Sequence, residues 1–414
     1  MPPESLTCKE CKAVYPLEAK YVCERCFGPL EVAYAAAGEV DTEELRRRIQ
    51  AGPHSLWRYR DFLPLTEAPP RDTLPAGWTP LLRADRLAEK LGLGEVWIKN
   101  DAANPTHSFK DRVVAVALAR AKELGYQTIA CASTGNLANA VAAHAAAAGL
   151  DSYVLIPSNL EEQKILATGV YGTHLVAVRG NYDDVNRLCT EIAGEHEWAF
   201  VNINMRPYYS EGSKTIAYEI AEQLGWAIPD RIVAPIASGS LFTKVAKGFE
   251  EWIELGLVNG TVPVMNGAQA LGCSPVATAF AEGTDICRPV KPDTIAKSLA
   301  IGNPADGPYA VELARRTGGA VDSVTDDEIR AGIKLLAETT GIFTETAGGV
   351  TTAVLKKLAE RGDIDPSERV VAVITGEGLK TLDTVRGTFE TYEIDATYDA
   401  FEAKVPVPPT QVAA

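Results

Sequence analysis

From Val96 onward the chain alternates short runs of Val, Ile and Ala with longer segments whose apolar residues recur at helical spacing. Runs at Thr128–Ala132, Ser152–Ile156, Thr173–Val178, Arg231–Pro235 and Val370–Thr375 predict strands. Helices are predicted at Val113–Leu124, Leu137–Ala148, Leu160–Thr168 and Asp183–His196. Strands separated by helices imply an α/β fold with a parallel sheet, in which ligands bind in loops at the strand ends. Upstream, a charged helical stretch at Asp41–Gln50 and a Pro-rich passage from Pro53 to Pro80 read as a connector that wraps onto the main body. There is no internal repeat, and the tail Val405–Ala414 reads as disordered.

Composition sets the scale of this picture. With 414 residues, 46% hydrophobic and 23% charged, the chain is long enough for two cores and a small appendage. A formal charge of −15 argues against nucleic acid and anionic membrane as partners, because a phosphate-binding surface needs clustered Lys and Arg. No run of eighteen apolar residues occurs, and the start MPPESLTCKECK lacks the pattern of a signal peptide, so the reading is a cytoplasmic protein.

The eight cysteines form two groups. Cys131, Cys189, Cys273 and Cys287 are scattered and read as packing residues, whereas Cys8, Cys11, Cys23 and Cys26 form two Cys-x2-Cys pairs. Paired thiolates at that spacing can close a tetrahedral Zn2+ site, which would supply the folding energy a segment this short cannot obtain from a core. The alternatives are a disulfide pair or a metal-free ribbon. Residues 1–34 carry four Lys/Arg against five Glu, so this ribbon is not a basic nucleic-acid module.

Four loops and one lysine carry candidate chemistry. Lys110 follows a Pro-Thr turn in Asn-Pro-Thr-His-Ser-Phe-Lys-Asp-Arg (residues 104–112). Desolvation beside Phe109 would lower its pKa enough for the amine to condense with an aldehyde cofactor. Ala132-Ser133-Thr134-Gly135-Asn136 joins a strand to a helix and is either an anion site built from free N–H groups or an ordinary capped turn. Ser238-Gly239-Ser240-Leu241 follows another strand and is either a phosphate cradle or a turn. The other two are Thr375-Gly376-Glu377-Gly378-Leu379-Lys380 and the stretch from Asn202 to Thr215.

The lysine string resembles that of the fold-type II pyridoxal phosphate enzymes, most closely the threonine synthase family, and the loops follow in the family's order. The resemblance runs from the ribbon to about Arg386, with the Lys110 and Thr375 motifs its most specific parts. It implies a tryptophan synthase β-like architecture of two open, twisted α/β domains with the cofactor in the cleft between them. The expected boundaries are a ribbon at 1–34, an arm at 35–80, a large domain at 81–110 and 206–386, a small domain at 111–205, and a tail at 387–414.

Residue roles are also implied by the resemblance. Lys110 binds pyridoxal 5'-phosphate, Asn136 the cofactor's 3'-oxygen, Ser238, Gly239, Ser240 and Leu241 its phosphate, and Thr375 the pyridine nitrogen. Ser133, Thr134 and Gly135 hold the substrate carboxylate, while Asn204, Arg206 and Lys99 serve the substrate phosphate. Glu345 and His107 are secondary candidates, and His107 could equally be a turn residue, as Arg206 could be an ion-pair partner. The chain departs from the family at His107, where Gly is usual, at Leu137, where Thr is common, and at Tyr209, where an arginine is expected. The implied reaction converts O-phosphohomoserine and water to L-threonine and phosphate in a homodimer. A threonine or serine dehydratase, or a β-replacement enzyme using O-phosphoserine, shares most of these residues but usually carries Ser or Cys at Thr375. An inactive, metal-organised scaffold is the remaining alternative.

Overall fold

The computed structural model describes every residue except 37, 39, 134, 159–161, 181 and 407–414, and gives only the backbone of 162–164, 182 and 183. Most of the tail expected to be disordered, and Leu160 at the start of one expected helix, lie outside the described residues.

Strands β1 (Pro3–Cys8), β2 (Val14–Tyr15) and β3 (Leu30–Tyr34) form a small antiparallel sheet in the order β2-β1-β3. Too few apolar residues lie in it for a separate core. Leu6, Cys8 and Val32 instead share one core with Val113, Ile129, Tyr208 and Tyr209 of the main body. The connector follows, beginning with the helix Thr42–Gln50, whose first N–H groups are accepted by the Asp41 carboxylate. Its Pro-rich part lays Leu56, Trp57, Leu63 and Ala76 against Ala115, Val116 and Ala119. It wraps onto the body as its sequence suggests.

Strands β4 (Leu81–Arg83) and β5 (Glu95–Asn100) open the larger sheet. The chain then leaves to build a second, fully parallel sheet from β6 (Thr128–Ala132), β7 (Asp151–Pro157), β8 (His174–Val178) and β9 (Ala199–Phe200), in the order β8-β7-β6-β9. It returns to add β10 (Arg231–Pro235), β11 (Val264–Ala270), β12 (Val321–Val324) and β13 (Arg369–Ile374). The six-stranded order is β12-β11-β10-β13-β5-β4, parallel except at the β4 edge. Two α/β sheets with one continuous segment inserted between strands of the larger are the expected fold class.

The helix Lys110–Glu123 is apolar on all sides, Val113 to Ala119 all being buried, which suits a helix packed between layers. The loops after β6, β10 and β13 converge at the carboxyl ends of their strands, where open α/β sheets bind ligands.

Candidate active site

Lys110 is the first residue of its helix, and the preceding turn is tied to the end of β13. Phe109 N–H donates to the Thr375 carbonyl at 3.0 Å, Ser108 bridges Gly376, and Glu377 N–H donates to the His107 carbonyl at 3.2 Å. The helix is then clamped two residues on. The Arg112 guanidinium donates to both Asp101 oxygens at 2.7 and 2.8 Å and to Glu219, all with no exposed side-chain surface. A charge network this buried requires every partner, because deleting one strands the others without solvent.

The Lys110 ammonium is part-buried, 4.5 Å from the Phe109 ring and 2.8 Å from the Tyr209 hydroxyl. Desolvation lowers its pKa to about 8, partly opposed by the Glu345 carboxylate. At neutral pH a fraction of the amine is therefore neutral, as condensation with an aldehyde requires.

Asn136 begins the helix Asn136–Ala148 and faces Lys110's surroundings through Glu345. Its Nδ2 donates to the two Glu345 oxygens at 2.9 and 3.1 Å, and its Oδ1 accepts from Lys380 Nζ at 2.8 Å. A carboxylate only accepts and an ammonium only donates, so the amide has a single orientation. Lys380 also donates to the Thr106 carbonyl at 2.6 Å, joining the β13 loop to the lysine turn. Glu345 caps the helix Thr346–Arg361, and Gly376 passes so close that a Cβ there would lie 2.4 Å from its Oε1. Ser133 turns its hydroxyl inward to accept from Gly135 and Ala138 N–H, while Thr134 lies outside the described residues.

The loop after β10 has Gly239 at φ +96°, where L side chains are strained, pressed against the Asp306 backbone. It leads into the fifteen-residue helix Ser240–Glu254, whose N-cap is Gly239 and has no side-chain cap. Ser240 N–H meets the Ser238 hydroxyl at 3.4 Å, and the rest of this uncapped first turn suits a phosphate. Asp306 N–H donates to the Ser238 carbonyl at 2.8 Å, and the Asp306 carboxylate accepts from Arg206 at 2.8 Å. Arg206 and Tyr209 share the short helix Arg206–Glu211, which reaches Lys110 directly and the Gly239 loop through Asp306.

Not every candidate reaches this cleft. Lys99 is 0% exposed and spends its ammonium on the Thr79 carbonyl, Glu219 and Gln223 at 2.8, 2.6 and 2.9 Å; it belongs to the Arg112 network and has no donor to offer a substrate. Asn204 accepts from Phe200 N–H and donates to the Trp198 carbonyl, so both ends of its amide brace the β9 turn. His107 is exposed at φ +62°, a backbone conformation that explains why the family favours Gly there, and it acts in the turn through its carbonyl. Tyr209 and Asp306 are contacts that local motifs do not single out, and Lys380 carries no expected role of its own. Lys380 sits in the Thr375 segment, Tyr209 marks a departure from the family, and Asp306 has no sequence signal. His144 is also brought in, its Nε2 3.0 Å from Asp111 beneath the lysine turn.

In the ribbon the four Sγ atoms of Cys8, Cys11, Cys23 and Cys26 lie within 4.8 Å of one another, with two pairs at 3.5 Å. Tetrahedral Zn–S bonds of about 2.3 Å place sulfurs about 3.8 Å apart, whereas a disulfide requires about 2.05 Å. Lys12 and Phe27, each following the second cysteine of a pair, adopt φ of 60° and 59°, which turns both knuckles inward. The donor set and geometry fit Zn2+. The Lys110 amine, the Asn136 amide and the Gly239 helix terminus likewise fit pyridoxal phosphate.

The model of the pyridoxal-phosphate dependent enzyme family matches residues 73–376. Threonine synthase of Methanocaldococcus jannaschii is 39% identical over 395 residues, spanning 94% of this chain and 96% of that protein. Threonine synthase of Methanosarcina acetivorans is 38% identical over 97% of this chain and 98% of its own length. Among solved structures, maize serine racemase superposes with a TM-score of 0.62 at 19% identity, covering 83% of this chain and 95% of that one. Processed threonine deaminase isoform 2 of Solanum lycopersicum gives 0.62 at 20% identity, covering 89% and 98%. These two likenesses concern the fold. The family match and the near full-length identity to curated relatives lead to one conclusion: this chain belongs to the pyridoxal-phosphate dependent enzymes, within their threonine synthase group.

Proposed function

We propose that this enzyme converts O-phosphohomoserine and water to L-threonine and inorganic phosphate. The observation that carries the reading is the convergence of Lys110, Asn136 and Thr375 at the strand ends of a chain 38–39% identical to threonine synthases over nearly its full length. Pyridoxal phosphate supplies an electron sink that stabilises negative charge on substrate carbons. The protein's part is to bind, orient and move protons. Lys110, whose pKa burial lowers to about 8, would take protons from the substrate's α- and β-carbons and give protons to the γ- and α-carbons, as phosphate leaves the γ-carbon and water adds its hydroxyl at the β-carbon. Asn136 would offer its Nδ2 to the cofactor's 3'-oxygen in exchange for Glu345, while Lys380 keeps its Oδ1. Thr375 offers a neutral hydroxyl to the pyridine nitrogen, and Ser238, Gly239, Ser240 and Leu241 offer a helix terminus to the cofactor phosphate. Glu345 accepts from that same Nδ2 and so fixes the orientation of the Asn136 amide.

Ser133 to Gly135 would receive the substrate carboxylate at the start of the helix Asn136–Ala148. Arg206 would receive the substrate phosphate, with Asp306 fixing the guanidinium and its remaining N–H groups free to fork a phosphate. We further propose that the four-cysteine ribbon holds structural Zn2+, that residues 111–205 form the small domain, and that the enzyme is a cytoplasmic homodimer. No described helix is long and apolar enough to cross a membrane.

The test is to incubate the cofactor-loaded protein separately with O-phosphohomoserine, O-phosphoserine and L-threonine, assaying phosphate, threonine and 2-oxo acid. Equal phosphate and threonine from phosphohomoserine alone is the expected result. A 2-oxo acid from threonine, or turnover of phosphoserine only, refutes it.

A further inference from the structure

By sequence Tyr209 is only the residue standing where an arginine is usual. In the fold its hydroxyl is the one side-chain hydrogen-bond partner of the Lys110 amine among the described residues, at 2.8 Å. We propose that Tyr209 is a second catalytic residue, a phenol that stays hydrogen-bonded to the Lys110 amine in both protonation states and so holds it in place while it exchanges protons.

The physical basis is the choice of a neutral partner. Tyr209 is 9% exposed and packs in the core shared by the ribbon and the smaller sheet, and burial raises its phenol well above the ordinary value, so it stays protonated at working pH. A neutral hydroxyl can accept from an ammonium and donate to a free amine, whereas a carboxylate in its place could only accept and would favour the charged lysine. The nearby carboxylate, Glu345, is engaged by Asn136. On the Tyr209 side lies the Cys131 thiol of β6, which burial holds protonated. Phe109 supplies an apolar wall at 4.5 Å.

Tyr209 is itself held firmly. Its helix ends at Glu211, which binds Lys214 and Lys244 at 2.7 Å each and accepts from Tyr34 of β3 at 2.7 Å. Its neighbour Tyr208 donates to the Glu18 carbonyl in the ribbon at 2.9 Å, and Arg206 pairs with Asp306. A flexible lysine side chain thus meets a fixed hydroxyl, which is the arrangement that preorganises a proton carrier.

The inference rests on Lys110 being the cofactor lysine, and the experiment separates the two claims. Cofactor-free wild type, Lys110→Ala and Tyr209→Phe proteins are mixed with pyridoxal phosphate across pH, followed by absorbance, then reduced with borohydride and mapped by peptide mass. Wild type is expected to carry the adduct on Lys110 and Lys110→Ala to carry none there; a wild-type adduct elsewhere overturns the assignment of the lysine itself. Tyr209→Phe keeps the ring and its packing, so its melting temperature should stay within a few degrees. It should still react at Lys110, but about tenfold more slowly and with a displaced pH profile, and should lose kcat about tenfold with KM nearly unchanged. Wild-type capture rate, pH profile and kcat in Tyr209→Phe would overturn the proposal. Should Tyr209→Phe not fold, 3-fluorotyrosine at position 209 keeps the shape while making the phenol more acidic, and the basic limb of the capture profile must move; an unmoved limb refutes the role equally.

Discussion

Replacing Lys110 with Met should abolish turnover yet stabilise the cofactor-free protein at neutral pH. Burial depresses the Lys110 pKa from 10.5 to about 8, so holding this amine charged in the fold opposes stability. A group whose folded pKa is depressed in this direction takes up its proton more readily in the unfolded chain; its penalty is complete below about pH 8 and fades as pH rises toward 10.5. The gap corresponds to about 3 kcal/mol at pH 7 and about 1.5 kcal/mol at pH 9.5. Methionine removes that penalty but forfeits the hydrogen bond to Tyr209, worth about 1 kcal/mol, and it keeps the contact with Phe109. The expected net gain is about 2 kcal/mol at pH 7, shrinking to about 0.5 kcal/mol at pH 9.5. Urea unfolding of cofactor-free wild type and Lys110→Met at both pH values measures it. With a slope of about 3 kcal/mol/M, the neutral-pH midpoint rises by about 0.7 M. A variant less stable than wild type at pH 7, or a difference that does not change with pH, would show that Lys110 is not held against its own solvation and would remove the physical ground for its reactivity.

Two further perturbations test the scaffold. Glu219 is 0% exposed and takes bonds from Lys99, Arg112 and the Trp78 and Thr79 N–H groups, so Glu219→Gln should destabilise by about 3–5 kcal/mol and slow turnover by loosening the lysine helix. Its carboxyl pKa falls to about 2 through the Arg112 and Lys99 charges, so this support is present above pH 4.5 and lost as pH drops toward 2; a variant with wild-type acid and urea midpoints contradicts the network. The purified protein should contain about one zinc per chain, and stripping it with a strong chelator should lower the melting temperature and raise KM for the phosphorylated substrate, because the ribbon braces the helix carrying Arg206. Metal analysis showing no zinc, or a chelated enzyme with unchanged melting and KM, contradicts it.

Local periodicity revealed those parts of the fold whose burial is local. The strands Thr128–Ala132 and Arg231–Pro235 match their predicted limits, and three others differ by one residue at one or both ends. Strand β11 escapes because Asn266, Gly267 and Gln269 interrupt its apolar run, and each is accommodated by a partner outside the strand. Asn266 accepts from Arg231, Gln269 accepts from Val276 and Ala277 N–H, and Gly267 lets Ile236 approach where a Cβ would clash. The same distinction governs the site. Lys110, Asn136 and Thr375 each sit where a strand or turn meets a helix, a signal carried in a few adjacent residues. Lys99 also fits a family pattern, yet the partner that consumes it, Glu219, lies 120 positions away, and no motif encodes that pairing.

The helix Arg206–Glu211 links this long-range support to function. Six residues cannot hold themselves helical in water, so their geometry is imposed from outside. The ribbon holds them through Glu18 and Tyr34, the larger sheet's layer through Lys244 and Asp306, and in return they present Tyr209 to Lys110 and Arg206 to Asp306, which braces the Gly239 loop. With Tyr209 in the position where an arginine is usual, the guanidinium available to a phosphate stands three residues earlier, one helical turn away on nearly the same face. On the proposed roles of Arg206 and Lys110, the departure from the family pattern moves a cation by one turn and leaves the vacated position to a hydroxyl on the Lys110 amine. The ribbon, remote from the chemistry in sequence, is one of the supports on which both side chains depend.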